Sequence, residues 1–136
     1  MSARRRSAGW LLAAALAAAG PTLARECNAP GNRIESDRVV IVYRTAPPKI
    51  AVGKHFAVEA LVCAKGAGAP PTGLRVDAAM PEHRHGMNYR ARVLPLGEGR
   101  YRAEGLLFHM PGRWQFLFDV DRAGGAERLA AEIVVE

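Results

Sequence analysis

Little in this chain is equipped for covalent chemistry. Among its 136 residues there are two cysteines and four histidines. No serine stands in a nucleophile-elbow context, so no activated nucleophile is in view and an enzyme is not expected. Aromatic residues make up only 7%, and they do not interleave with a basic stripe of the kind that nucleic-acid binding requires. There is no internal repeat. Beyond the N-terminus no segment carries helical periodicity, which excludes a helical architecture. The longest apolar run, residues 10–20, is shorter than the roughly 20 residues needed to cross a bilayer.

That run belongs with what surrounds it. Arg4, Arg5 and Arg6 precede it as a positive region, and Thr22-Leu23-Ala24 follows as a small-residue cleavage site. Together they predict a secretory signal peptide over residues 1–24 and a mature domain over 25–136, periplasmic or secreted, with no membrane span of its own. A lipid anchor on Cys27 is disfavoured by Glu26, where a small residue is normally found, and the residues after Arg6 do not follow the twin-arginine export pattern. Removing residues 1–24 takes the formal charge from +6 to +3, because three arginines and no acids are lost. The remaining basic residues are interspersed. Arg90, Arg92, Arg100 and Arg102 alternate with other residue types and read as the solvated face of strands.

Two cysteines in an exported chain predict a Cys27–Cys63 disulfide. Closing a loop of that length contributes about 3 to 4 kcal/mol in the chain-entropy model. A pair of metal-binding thiolates is the alternative, but nothing near either cysteine has ligand spacing.

The mature chain reads as strands. A β-branched and aromatic run covers 37–44, and 55–63 alternates Phe56, Val58, Ala60 and Val62 against Ala57, Glu59, Leu61 and Cys63. A third strand, 74–80, sets Leu74, Val76, Ala78 and Met80 on one face. A fourth at 88–96 turns through Gly97-Glu98-Gly99 into a fifth at 100–108, in which Tyr101, Ala103, Gly105 and Leu107 share a face. The sixth, 114–120, points Trp114, Phe116, Phe118 and Val120 inward, and the seventh, 127–135, aligns Leu129, Ala131, Ile133 and Val135. Seven short strands with turns about every ten residues predict an all-β fold, an antiparallel seven-stranded immunoglobulin-like β-sandwich.

If every strand reverses the direction of the one before, alternate connections gather at the same end. The connections after the first, third and fifth strands would then lie together, and they hold the histidines. The cysteines would lie at the other end.

Met80-Pro81-Glu82-His83-Arg84-His85-Gly86-Met87 and His109-Met110 carry three of the four histidines and three of the four methionines. Imidazole and thioether are uncharged donors, and their mixture suits copper, sulfur favouring Cu(I) and nitrogen tolerating either oxidation state. In an extended segment His83 and His85 project to one side and Arg84 to the other. The candidate metal ligands are therefore His83, His85, Met87 and His109, with Met80 or Met110 assisting and Glu82 available as an oxygen donor or hydrogen-bond acceptor. Zinc held by three histidines is the runner-up. Such a site implies delivery to a copper-accepting membrane or periplasmic protein. The competing reading is an adhesion or assembly module of the cell envelope whose loops touch another protein, with solvated histidines and methionines that plug the end of a sandwich. His55 reads as a solvated strand-end residue.

The run from Met80 through His83, His85, Gly86 and Met87, continued by Gly99-Arg100-Tyr101, Phe108-His109-Met110-Pro111-Gly112 and Trp114, resembles the YtkA-like family of exported domains, itself similar to the FixH-like proteins. The resemblance spans about residues 50–122. It implies an immunoglobulin-like sandwich outside the cytoplasm, suspected of a part in copper handling or oxidase assembly. The spacing of Met87 and His109 also resembles that of periplasmic copper chaperones of the PCuAC type. Here, however, His-x-His precedes the methionine and His-Met, not His-x-Met, follows it.

Overall fold

Alternation of apolar and polar residues with a period of two leaves each strand one face to bury, and two such sheets closing on one another is the simplest way to bury both. The computed structural model describes residues 27–136, so the signal peptide expected over 1–24 lies outside the described residues. Among the described residues nine strands form two antiparallel sheets in a β-sandwich-like arrangement. The first sheet has the order β1 (Asn32–Glu35), β2 (Val39–Ala46), β3 (His55–Ala64), β7 (Arg100–Leu107), β6 (Arg92–Gly97). The second has the order β5 (His85–Gly86), β4 (Gly73–Met80), β8 (Gly112–Arg122), β9 (Gly125–Val135).

The core takes the residues that the alternation nominates. Phe56, Val58, Ala60 and Val62 of β3 meet Leu74, Val76, Ala78 and Met80 of β4 and Trp114, Phe116, Phe118 and Val120 of β8 in one buried cluster. Aromatic contacts tie the sheets together: Tyr43 of β2 lies edge-on to Phe116 with ring centroids 5.8 Å apart and tilts against Phe118 at 5.0 Å.

Three details differ from the sequence reading. Two short strands, β1 and β5, raise the count from seven to nine, and the strand expected from residue 88 begins at Arg92. Neither short strand has enough residues to show a period; each exists only because a neighbour offers it hydrogen bonds. The phase of β7 also changes midway. Phe56 pairs with Leu106 but Val58 pairs with Ala103, so Glu104 and Gly105 together oppose Ala57 in a β-bulge. Gly105 sits at φ +80°, a conformation that costs a side-chain-bearing residue roughly 1 to 2 kcal/mol. The extra residue hands the inward positions to Leu106 and Phe108, both fully buried, instead of Gly105 and Leu107.

The outer face of the five-stranded sheet is partly apolar as well. Val40, Val42, Leu61 and Cys63 are buried there outside the main core, beneath a lead-in fastened by the Cys27–Cys63 disulfide. Further along the same face the charges pair in a row: Arg44 and Arg102 both reach Glu59, at 2.6 and 2.7 Å, and Arg102 also reaches Glu104 at 2.9 Å. On the other sheet Arg128 grips Asp119 with two hydrogen bonds, 2.6 and 2.8 Å. Those bonds, with the guanidinium charge, hold the Asp119 carboxyl below the ordinary carboxylate range against the opposing effect of partial burial.

Two predictions follow from these fastenings. Replacing both Cys27 and Cys63 with alanine lowers the free energy of unfolding by about 3 to 4 kcal/mol, measured by urea denaturation of the oxidised wild type beside the variant. Because the Asp119 value is depressed in the folded state, its contribution is fully present above the unfolded value near about pH 4 and is lost as pH falls through the folded one. Asp119→Asn should therefore cost about 1 kcal/mol at neutral pH and nothing at strongly acid pH, which thermal unfolding across that range reads directly.

Candidate metal centre

The residues at the end of β4 reverse the chain within four positions. Pro81, whose ring fixes φ, opens a 3-10 turn over Pro81–His83, and Arg84 closes it in the left-handed region at φ 55°, its N–H donating to the Pro81 carbonyl at 3.3 Å. The chain then returns as β5, pairing His85 with Met80 and Gly86 with Ala79. The segment is thus a turn and not the extended strand on which His83 and His85 would share a side. The turn nevertheless leaves their rings 5.7 Å apart at an interplanar angle of 38°.

The second half of the site comes from the connection between β7 and β8. Phe108 stacks on the fully buried Trp114, with centroids 4.4 Å apart and planes 19° from parallel. The indole N–H donates to the Met110 carbonyl at 3.1 Å, closing the intervening turn. Gly112 occupies φ +128°, and a Cβ there would lie 2.8 Å from the Met80 methyl. Only glycine combines that backbone with that proximity. The β2–β3 connection joins the same end, where the Gly53 N–H reaches the Phe108 carbonyl at 2.8 Å.

His85 and His109, from the two segments, stand 5.1 Å apart between ring centroids and tilt by 39°. Both present themselves edge-on to Trp114, at 5.8 Å and 5.4 Å. The Nδ1 of His85 lies 3.2 Å from the Gly86 carbonyl. In the tautomer that donates this bond, Nε2 keeps its lone pair and is the nitrogen free to bind a metal. The Nδ1 of His109 is buried without a hydrogen-bond partner. A buried imidazole nitrogen without a protein partner is a costly arrangement.

The other candidates are placed less uniformly. Met87 is half-buried, its N–H bonded to the Ala78 carbonyl at 3.2 Å, and Met110 is likewise half-buried against the core. Met80 is 1% exposed and belongs to the core itself. Glu82 is exposed and faces Arg113 at 3.6 Å, which draws it into an ion pair. His55 is exposed and packs edge-on against Tyr89 at 5.2 Å. Among the described residues no group of three or more histidine, cysteine, aspartate or glutamate side chains is assembled that could hold a metal ion. What the two segments do bring together is the pair of imidazoles, His85 and His109.

Trp114 is the residue whose part in this site the sequence reading missed, since strand alternation accounts for it as core. The available signal was the four-residue step from Met110 to Trp114, which allows the indole to close the turn. A separate cavity of about 290 Å³ lies away from the histidines, bounded by Val42, Leu61 and Leu96 together with Arg44, Glu59 and Arg100. Among the described residues no helix is long and apolar enough to cross a membrane. Comparison with family models, curated proteins and solved structures matches nothing to this chain.

Gly112→Ala is expected to lower stability by about 1 to 3 kcal/mol, because a side chain strains the backbone at φ +128° and must also push the Met80 methyl aside. The shift of the urea midpoint at unchanged slope measures it.

Proposed function

We propose that the chain is an exported, immunoglobulin-like copper-binding domain, periplasmic or secreted. It holds the ion at one end of the sandwich through His85 and His109 and passes it to a membrane or periplasmic acceptor. The observation that carries this reading is the contact between two imidazoles from separate connections, one of which has a buried, unpartnered nitrogen. Thioether sulfur from Met87 or Met110 completes a donor set suited to Cu(I), and His83 stands beside His85 as a further nitrogen. Zinc remains the second choice of metal. The resemblance of the Met80–Met87 and Phe108–Trp114 motifs to the YtkA-like exported domains supports both the sandwich topology and the copper reading. The Cys27–Cys63 disulfide is compatible with an oxidising compartment.

A second reading has an observation of its own. Both rings pack edge-on against Trp114, which gives the histidines a place in the fold without any metal. On that reading the domain is a protein-interaction or assembly module of the cell envelope.

Competition with a chromophoric Cu(I) chelator under anaerobic conditions, together with Cu(II) titration, separates the two. The copper reading expects tight binding that weakens at least about 100-fold, ~2.7 kcal/mol, in the His85→Ala/His109→Ala double variant. Micromolar or weaker binding that the double variant leaves unchanged rejects it and leaves the interaction module.

A further inference from the structure

A sheet edge carries a row of unpaired N–H and C=O groups, and proteins blunt such rows with short strands, proline, bulges or cover. Three of the four edges here are blunted in that way. β1 has four residues and β5 has two, while β6 contains Pro95 and a break in register beside it. Among the described residues β9 is neither short nor interrupted, and its one such device is Glu127 near one end, an inward-facing charge held by Arg122 and Arg38. The strand runs eleven residues in unbroken register with β8, from Val135 opposite Gly112 to Gly125 opposite Arg122. It has no proline or lysine, and Val134 on its outer face is 64% exposed.

The outer face of this strand is complementary to itself. Ala126, Arg128, Ala130, Glu132 and Val134 point away from the core, and turning the strand about Ala130 exchanges Arg128 with Glu132 and Ala126 with Val134. An antiparallel pair of β9 strands centred on Ala130 therefore places arginine opposite glutamate twice and alanine opposite valine twice. Shifting the centre to residue 128 or 132 sets like charges face to face instead. Within each chain Arg128 already holds Asp119, and Glu132 holds Arg113 at 3.1 Å. The paired edges would continue these contacts into a row of alternating sign, Asp119, Arg128, the second copy's Glu132 and its Arg113.

We infer that β9 is an interaction edge for a second copy of this chain, and that two sandwiches join through it into one continuous eight-stranded sheet about a two-fold axis at Ala130. The interface is isologous and closes at two copies.

Both native cysteines are in the disulfide, so the Ala130→Cys variant carries a single free thiol at the axis. Mild oxidation of the purified protein should convert most of that variant to a covalent dimer. Sedimentation of the wild type should show a monomer–dimer equilibrium, and Glu132→Lys, which faces Arg128 twice across the axis, should raise the dissociation constant about tenfold. Circular dichroism of each variant confirms that the fold is retained; a variant that fails this check is replaced by Val134→Cys with Ala126→Cys, mixed and oxidised, which should give the heterodimer in preference to either homodimer. A protein that sediments as a monomer up to its solubility limit overturns the inference. So does a dimer indifferent to Glu132→Lys, or an edge taken up by the strand of a different protein.

Discussion

The stack of Phe108 on Trp114 is the contact on which this end of the molecule depends. Phe108 follows β7 of one sheet and Trp114 belongs to β8 of the other, so a single aromatic pair, 4.4 Å between centroids, spans the connection between the sheets and seals the core beneath it. Burial of two such rings removes a large apolar area from water, and the near-parallel geometry adds to it. The same indole also bonds the Met110 carbonyl, so that the turn carrying His109 is held by packing below and by a hydrogen bond from within. His109 and His85 then rest against a side chain that cannot move without opening the core.

That arrangement relies on the bulge at Gly105. Had β7 kept strict alternation, Leu107 would face inward and Phe108 outward, and the ring that stacks on Trp114 would be in solvent. One glycine in the left-handed region shifts the remainder of the strand by one position and sets the orientation of the following turn. The bulge was not legible from the sequence, because Gly105 fits an inward position in a simple alternation as well as it fits a bulge. What distinguishes the two is the partner strand, where one residue, Ala57, faces two.

Elsewhere local pattern was sufficient. Phe56 to Val62, Leu74 to Met80 and Trp114 to Val120 each alternate without interruption, and each buries the face that its apolar residues mark. The disulfide was legible because two thiols in a chain read as exported have few other uses. The strands β1 and β5 were not, since a strand of two to four polar or small residues is defined by its neighbour's hydrogen bonds and not by its own composition. In the candidate site the histidines that meet were nominated from the sequence, but the route was different. Pro81 makes a turn where an extended segment was expected, and that turn, by pairing His85 back onto Met80, brings His85 beside His109. Met80 is buried for the same reason, as the last inward residue of a strand that ends beneath the Gly112 turn.

The placement of the disulfide has a bearing on what kind of ion carrier this domain would be. Its only two sulfhydryl groups are spent on each other toward the pole remote from the histidines, where Cys63 sits opposite Val40. Any cation taken up by imidazole and thioether alone therefore keeps its full formal charge, with no anionic sulfur to neutralise it. A complex that stays positive is drawn toward a negatively charged or thiolate-bearing recipient. An ion held by neutral donors alone would therefore leave more readily for an acceptor that offers anionic ones.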